Sequence, residues 1–151
     1  SEEGAKEASL ELIRSNEEKT AIIDNFTNPE EGTVIYPMGI FCPNEPTTVG
    51  MLRALKEESI AEKIPFVGFD ITSELYEAML ANQIDTLMVQ DAKKIGEQSV
   101  SIMVDIISKN EIDDNNITIP ITAVDQTNYN SDEVKSLISS YGIKIISKDS
   151  N

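Results

Sequence analysis

The sequence predicts an α/β fold, with a mainly parallel open sheet and helices on both faces. Three apolar runs of strand length are each followed by a segment with helical spacing of its apolar residues. Each run also ends near one hydrogen-bonding side chain: Gly39 to Cys42 leads to Asn44, Ile64 to Phe69 leads to Asp70, and Thr86 to Val89 leads to Gln90. Because strands that alternate with helices are joined by right-handed crossovers, these three strands are expected to be parallel neighbours.

The segment before the first motif contains one helix and one strand by the same criteria. Helical spacing extends from Ala5 to Arg14, and Thr20 to Ile23 has the composition of a strand. Residues 25–38 are rich in loop residues and are interpreted as a loop, in which Thr33 to Tyr36 forms at most a short edge strand.

Helix termini can be assigned after the first two motifs. Thr47 or Thr48 is expected to cap the first helix, which should end near Ser59. Thr72 is expected to cap the second, and Asn82 to end it in the left-handed conformation.

The helix after Gln90 has the widest apolar face and is predicted to be the most buried, ending near Lys109. Its stripe comprises Ile95, Ser99, Ile102, Met103 and Ile106, widened by Val100, Val104 and Ile107.

The remaining elements lie in the C-terminal part. A strand is predicted from Ile117 to Val124, at an edge or irregular because Pro120 cannot donate a backbone hydrogen bond. Ser131 should cap a last helix, Gly142 should end it, and Ile143 to Ile146 should form a short strand.

Composition excludes several classes of function. The 151 residues, 40% of them apolar, can bury one core, so residues 1–151 are interpreted as a single lobe. The net charge of −15 would repel phosphate backbones, which argues against direct nucleic-acid binding.

The chain has no histidine, and its one cysteine, Cys42, lies in an apolar run where an inert buried thiol is expected. Neither a metal site nor a cofactor site is indicated, and no stretch approaches the ~20 apolar residues of a membrane helix.

The three motifs, taken in order, resemble the C-terminal lobe of type I periplasmic sugar-binding proteins, such as ribose- and galactose-binding proteins. The resemblance rests on Ile40 to Lys56, Val67 to Asp70, and Val89 to Asp91 with Ile95-Gly96. It covers residues 39–128 best, followed by a terminal helix and strand in residues 129–151. Lac-repressor-like ligand-binding domains share this fold, so the resemblance implies an architecture more firmly than a physiological role.

The resemblance implies that Asn44, Asp70 and Gln90 hydrogen-bond a small polar ligand, a monosaccharide. The residue types suit this, because sugar hydroxyls both donate and accept and a carboxylate can accept from two of them. Each residue also has a simpler interpretation: Asn44 can form a turn, Asp70 can cap the following helix, and Gln90 can pair with backbone at a strand end.

The chain departs from the family pattern in two ways. No N-terminal lobe is expected within these residues, whereas family members close two lobes around the solute. Residues 25–38 also replace a strand, two helices and a ligand-binding arginine. The chain is thus either an excised or rearranged lobe, or a lobe whose missing parts come from another chain.

Three functions remain open. The favoured one is non-catalytic binding of a sugar-like solute, as a lobe of an extracytoplasmic solute-binding protein that serves an ABC-type membrane transporter. The second is a ligand-sensing domain of a transcriptional regulator or sensor kinase, which would be cytoplasmic in the case of a regulator. The third is a small α/β enzyme, disfavoured because histidine and a phosphate-binding loop are absent.

Overall fold

The computed structural model describes residues 1–18, 39–110 and 117–145 of the chain. The described part contains five helices and four strands, which are α1 (Glu2–Glu18), β1 (Ile40–Phe41), α2 (Glu45–Glu57), β2 (Phe66–Phe69), α3 (Ser73–Leu80), β3 (Thr86–Val89), α4 (Ala92–Ile107), β4 (Thr122–Asp125) and α5 (Asp132–Ser140). The predicted strand Thr20 to Ile23 and the predicted loop 25–38 lie outside the described residues.

The strands form one sheet in the order β1-β2-β3-β4. The pairs β1–β2 and β2–β3 are parallel, and β4 pairs with β3 in the antiparallel direction. The predicted α/β class with a mainly parallel open sheet is therefore confirmed. None of the helices in the described ranges has the length and apolar composition that a membrane span requires.

One face of the sheet forms the centre of the hydrophobic core. Because strand residues alternate between the faces, Phe66, Leu87, Val89 and Val124 share one face, and each is fully buried. They join a cluster with apolar residues of α2, α3 and α5. Full burial of such a side chain contributes about 1.5–3 kcal/mol, so this cluster is the main source of stability in the described part. On the opposite face Phe41 remains 62% exposed.

Helix α1 packs closely against α2 at Gly50. A Cβ at Gly50 would lie 2.5 Å from the Cβ of Ala5 and 2.6 Å from the backbone nitrogen of Lys6. Glycine is therefore needed at this position for the two helices to approach as they do.

Most of the predicted helix termini are confirmed. The side chain of Thr72 accepts from the backbone of Leu75 and caps α3, and Asn82 follows that helix with a φ of 59°. Ser131 caps α5, and Gly142 follows it with a φ of 72°. The predicted cap of α2 was wrong, because Asn44 caps that helix in place of Thr47 or Thr48.

The prediction that α4 is the most buried helix was wrong. None of its residues is buried, and six of its large apolar residues are exposed: Ile95, Val100, Met103, Val104, Ile106 and Ile107. The half-buried positions are instead Gln98, Ile102 and Asp105, which lie on one side of the helix. The apolar stripe correctly indicated a helix, but most of it does not face the described core.

Two strand predictions near the C-terminus also need correction. The strand predicted from Ile117 begins only at Thr122, after Pro120, because proline has no backbone N–H to donate. Residues 143–145 are not in a strand, and the last residue of that predicted strand lies outside the described ranges.

Candidate functional site

The three predicted ligand-binding residues lie at the same edge of the sheet. Asp70 directly follows β2, Gln90 directly follows β3, and Asn44 comes three residues after β1. These three strands are adjacent and parallel, so their carboxyl ends meet at one rim. This edge is where open α/β sheets bind ligands.

The side chains of Asp70 and Gln90 are in direct contact. Nε2 of Gln90 donates a hydrogen bond of 2.8 Å to Oδ1 of Asp70. The backbone of Asp70 is left-handed, with a φ of 63°, and its N–H donates to the carbonyl of Met88. Since Thr72 caps α3, the interpretation of Asp70 as a helix cap was wrong. Asp70 ends the strand and presents its carboxylate to Gln90.

Asn44 is held differently, by the first turn of α2. Its Oδ1 accepts from the backbone nitrogen of Thr47 at 3.1 Å and from the Thr47 hydroxyl at 3.0 Å. The residue is exposed, and among the described residues its Nδ2 has no hydrogen-bond partner. Asn44 therefore has a structural role as a cap and still has two N–H bonds available at the rim.

Thr48 was missed as part of this site. It is fully buried, its hydroxyl accepts from the backbone nitrogen of Phe69 at 2.9 Å, and it donates to the carbonyl of Asn44 at 2.9 Å. It thereby connects the segments that carry Asn44 and Asp70. No local pattern could have indicated this, because the contact depends on β2, 21 residues further along the chain.

Tyr141, which follows α5, was also missed. Its hydroxyl donates a hydrogen bond of 2.7 Å to the backbone carbonyl of Gln90. Burial raises the pKa of the Tyr141 phenol, and the negative charge of Asp70 raises that pKa further. The phenol is therefore protonated at neutral pH and can act as the donor.

Neither a cluster of metal ligands nor an exposed thiol is found in the described part of this strand edge. No cluster of three potential metal ligands occurs within the described ranges. Cys42, close to Asn44 in the chain, is buried, and this burial raises the pKa of its thiol. The burial of Cys42 agrees with the prediction from its apolar run, and a raised thiol pKa disfavours the nucleophilic thiolate.

A cavity of about 780 Å³ lies next to this rim, between α4, α5 and the segment that leads into β4. Asp91, Lys94, Pro120 and Ser140 are among its lining residues. The three predicted ligand-binding residues do not line it, although Asp91 directly follows Gln90 in the chain. Because Asn44, Asp70 and Gln90 share the strand edge and not this cavity, we take the strand edge as the candidate site.

Comparisons with known proteins agree with this architecture. Residues 15–111 match the model of the family described as "Periplasmic binding protein domain". No curated protein matches the sequence at a significant level.

Several solved structures are similar to the chain. An ABC transporter solute-binding protein from Agrobacterium vitis with bound D-fucose is 25% identical to the chain, with a TM-score of 0.73. The match covers 89% of this chain and 40% of that protein. The periplasmic component of an ABC-type sugar transport system from Hahella chejuensis is 26% identical, with a TM-score of 0.65. This match covers 83% of this chain and 38% of that protein. A carbohydrate transporter solute-binding protein from Agrobacterium radiobacter, in complex with D-arabinose, is 18% identical and has the same fold, with a TM-score of 0.73. This match covers 91% of this chain and 40% of that protein.

The chain thus spans about 40% of the length of these proteins. The match to the family model extends over more than half of the chain, and the fold agrees with one lobe of the type I structures. The chain therefore belongs to the periplasmic binding protein domain family.

Proposed function

We propose that this chain binds a neutral monosaccharide, without covalent chemistry, as one lobe of an extracytoplasmic solute-binding protein that serves an ABC-type importer. The observation that carries the proposal is the contact of Asp70 with Gln90 at the strand edge that also presents Asn44. The similar proteins from Agrobacterium species have D-fucose or D-arabinose bound, which supports this ligand class.

The donors and acceptors of the site suit hydroxyl groups. Since Gln90 uses Nε2 to donate to Asp70, its Oε1 is available as an acceptor, as is Oδ2 of Asp70. Asn44 contributes donors through Nδ2, because its Oδ1 is engaged by Thr47. A hydroxyl-rich ring can donate to the first two residues and accept from the third.

The charge of the site favours a neutral ligand over an anionic one. Asp70 forms no ion pair within the described ranges, and the whole chain has a net charge of −15. A sugar acid or sugar phosphate would therefore approach an uncompensated carboxylate, which costs binding free energy. A neutral sugar meets no such repulsion.

One lobe alone should bind weakly. Small-molecule sites usually bury most of the ligand surface, whereas a single strand edge covers one side of it. Because the matched part of the chain covers only about 40% of each similar protein, we infer that a second lobe covers the other side of the sugar and that lobe closure signals occupancy to the transporter.

Nuclear magnetic resonance titration tests the proposal. Titration of the chain with D-fucose, D-arabinose and D-tagatose should shift the amide signals around Asn44, Asp70 and Gln90 for at least one sugar. Asp70→Asn should abolish these shifts, because losing a charged hydrogen bond costs about 1.5–3 kcal/mol of binding free energy. Asp132→Asn is the matched control. Asp132 is exposed on α5, so its substitution removes the same charge at a position away from the strand edge. Shifts centred on other residues, or identical titrations of Asp70→Asn and the unaltered chain, would reject the site.

A further inference from the structure

The hydroxyl of Thr48 joins the two segments that carry Asn44 and Asp70. Its side chain is fully buried, so it is not available to a ligand. The hydroxyl accepts from the backbone nitrogen of Phe69 at 2.9 Å, which holds the end of β2. It donates to the carbonyl of Asn44 at 2.9 Å, a shorter contact than the 3.3 Å to the carbonyl of Phe69. The helix start and the strand end are therefore connected through one oxygen atom.

Gly68 provides a second, independent observation on the same contact. A Cβ at Gly68 would lie 2.3 Å from Cγ2 of Thr48 and 3.1 Å from Cδ2 of Leu87. Since non-bonded contacts of a Cβ atom are essentially never shorter than 3.0 Å, any larger residue at this position would displace the Thr48 side chain. The strand thus leaves space for Thr48 directly before the site.

We propose that Thr48 is a positioning residue that sets the distance between the Asn44 amide and the Asp70 carboxylate. This inference rests on the proposed sugar-binding function, because one small ring must reach both groups at once. A shift of about 1 Å in a binding group is enough to weaken its hydrogen bonds to a bound ligand. Thr48 thereby determines how well the two segments match one sugar, without contacting the sugar itself.

Two substitutions at this position separate the hydroxyl from the shape of the side chain. Thr48→Val keeps the size and removes the hydroxyl, whereas Thr48→Ser keeps the hydroxyl and removes the methyl group. With D-fucose, D-arabinose and D-tagatose as probes, Thr48→Val should weaken binding by about 5- to 10-fold per folded molecule, because a displaced Asn44 or Asp70 would lose about one hydrogen bond to the sugar. Thr48→Ser should bind with an affinity within about twofold of that of the unaltered chain, because it keeps the hydroxyl that joins the two segments. If Thr48→Val is folded and binds equally well, the proposal is overturned.

A second pair of variants tests the inference if Thr48→Val does not fold. Gly68→Ala keeps the hydroxyl but pushes against Cγ2, so it should weaken sugar binding. Adding Thr48→Ser removes Cγ2, relieves that overlap and should restore part of the affinity. If the double variant binds no better than Gly68→Ala alone, the overlap with Thr48 is not the cause and the inference fails.

A measurement on the ligand-free chain separates this inference from the proposed function. In Thr48→Val, the amide of Phe69 should exchange faster with solvent, and the side-chain amide signals of Asn44 should move. Both signals should stay unchanged in Thr48→Ser. If no sugar binds even the unaltered chain, the proposed function fails while these signals still report whether Thr48 positions the two segments. Unchanged Phe69 and Asn44 signals in Thr48→Val would overturn the positioning role in either case.

Discussion

The hydroxyl of Tyr141 donates a hydrogen bond of 2.7 Å to the backbone carbonyl of Gln90, 51 residues earlier in the chain. The contact joins the end of α5 to the residue that follows β3. Because Gln90 in turn donates to Asp70, the conformation of the candidate site depends on an element outside the three motifs.

Replacing Tyr141 should therefore affect both stability and the site. Tyr141→Phe should lower the free energy of unfolding by about 0.5–1.5 kcal/mol, because one part-buried hydrogen bond is lost. It should also shift the side-chain amide signals of Gln90. Tyr129→Phe is the control, since the Tyr129 hydroxyl has no hydrogen bond to another described residue. Urea denaturation and amide spectra of both variants check this, and equal effects of the two would contradict it.

Alkaline pH should weaken the same contact. The folded-state pKa of Tyr141 is raised by burial first and by Asp70 second, so the unfolded chain loses the phenol proton at lower pH than the folded chain. The contribution of Tyr141 to stability is therefore complete below the ordinary tyrosine pKa of about 10 and is lost as the pH rises through the folded-state pKa. The measurement is the urea midpoint as a function of pH, which should fall less steeply in Tyr141→Phe. Parallel curves for the two proteins would show that Tyr141 does not cause the decline.

Two glycines in helices should respond in opposite directions to alanine. Gly50→Ala places a Cβ against the backbone of α1 and should cost about 1–3 kcal/mol through overpacking. Gly96→Ala, in α4, meets no atom within 4 Å and should stabilise the chain by about 0.5–1 kcal/mol through helix propensity. Thermal denaturation of the two variants provides the comparison. A neutral Gly50→Ala would mean that the backbone of α1 does not contact α2 at Gly50.

Acid should release a charged connection between three helices. Arg53 of α2 donates to Glu74 of α3 at 2.8 Å and to Glu2 of α1 at 2.8 Å. The hydrogen bond from Arg53 lowers the pKa of Glu74. The stability contribution of Glu74 is therefore present above the ordinary glutamate pKa of about 4.3 and is lost as the pH falls through the lower folded-state value.

The test is the thermal midpoint of Glu74→Gln between neutral and acidic pH. The variant should have a lower midpoint than the unaltered chain at neutral pH, and this difference should disappear in acid. Glu77→Gln, at an exposed position in the same helix without an ion pair to a described residue, should show no such pH-dependent difference. A constant difference for Glu74→Gln across the pH range would exclude the ion pair as its cause.

The sequence indicated those parts of the fold that depend on nearby residues. The cap at Thr72 and the left-handed positions at Asn82 and Gly142 follow from contacts within one helical turn, so they could be predicted. The shared strand edge of Asp70 and Gln90 was predictable because alternating strands and helices impose parallel pairing.

Long-range contacts were not predictable in the same way. The apolar stripe of α4 indicates which residues could be buried, but it does not indicate whether another element covers them. The hydrogen bonds of Thr48 to β2 and of Tyr141 to Gln90 join residues far apart in the sequence, and neither residue type requires such a partner. Only the packing of the elements brings them to the site.

The observed capping role of Asn44 can be separated by substitution from its proposed contact with a ligand. Asn44→Asp keeps an oxygen that can cap α2, because aspartate is as good a cap as asparagine, but it replaces the Nδ2 donor with a second acceptor. The stability of this variant should therefore match that of the unaltered chain, while its titration with D-fucose, D-arabinose and D-tagatose should show no shifts at the strand edge. Asn44→Ala should lose both the binding and about 1 kcal/mol of stability. Thr72→Ala, which removes the cap of α3, should lose stability alone. If Asn44→Asp binds the sugar as the unaltered chain does, then Asn44 acts only as a cap and the ligand contacts at this edge are made by other residues.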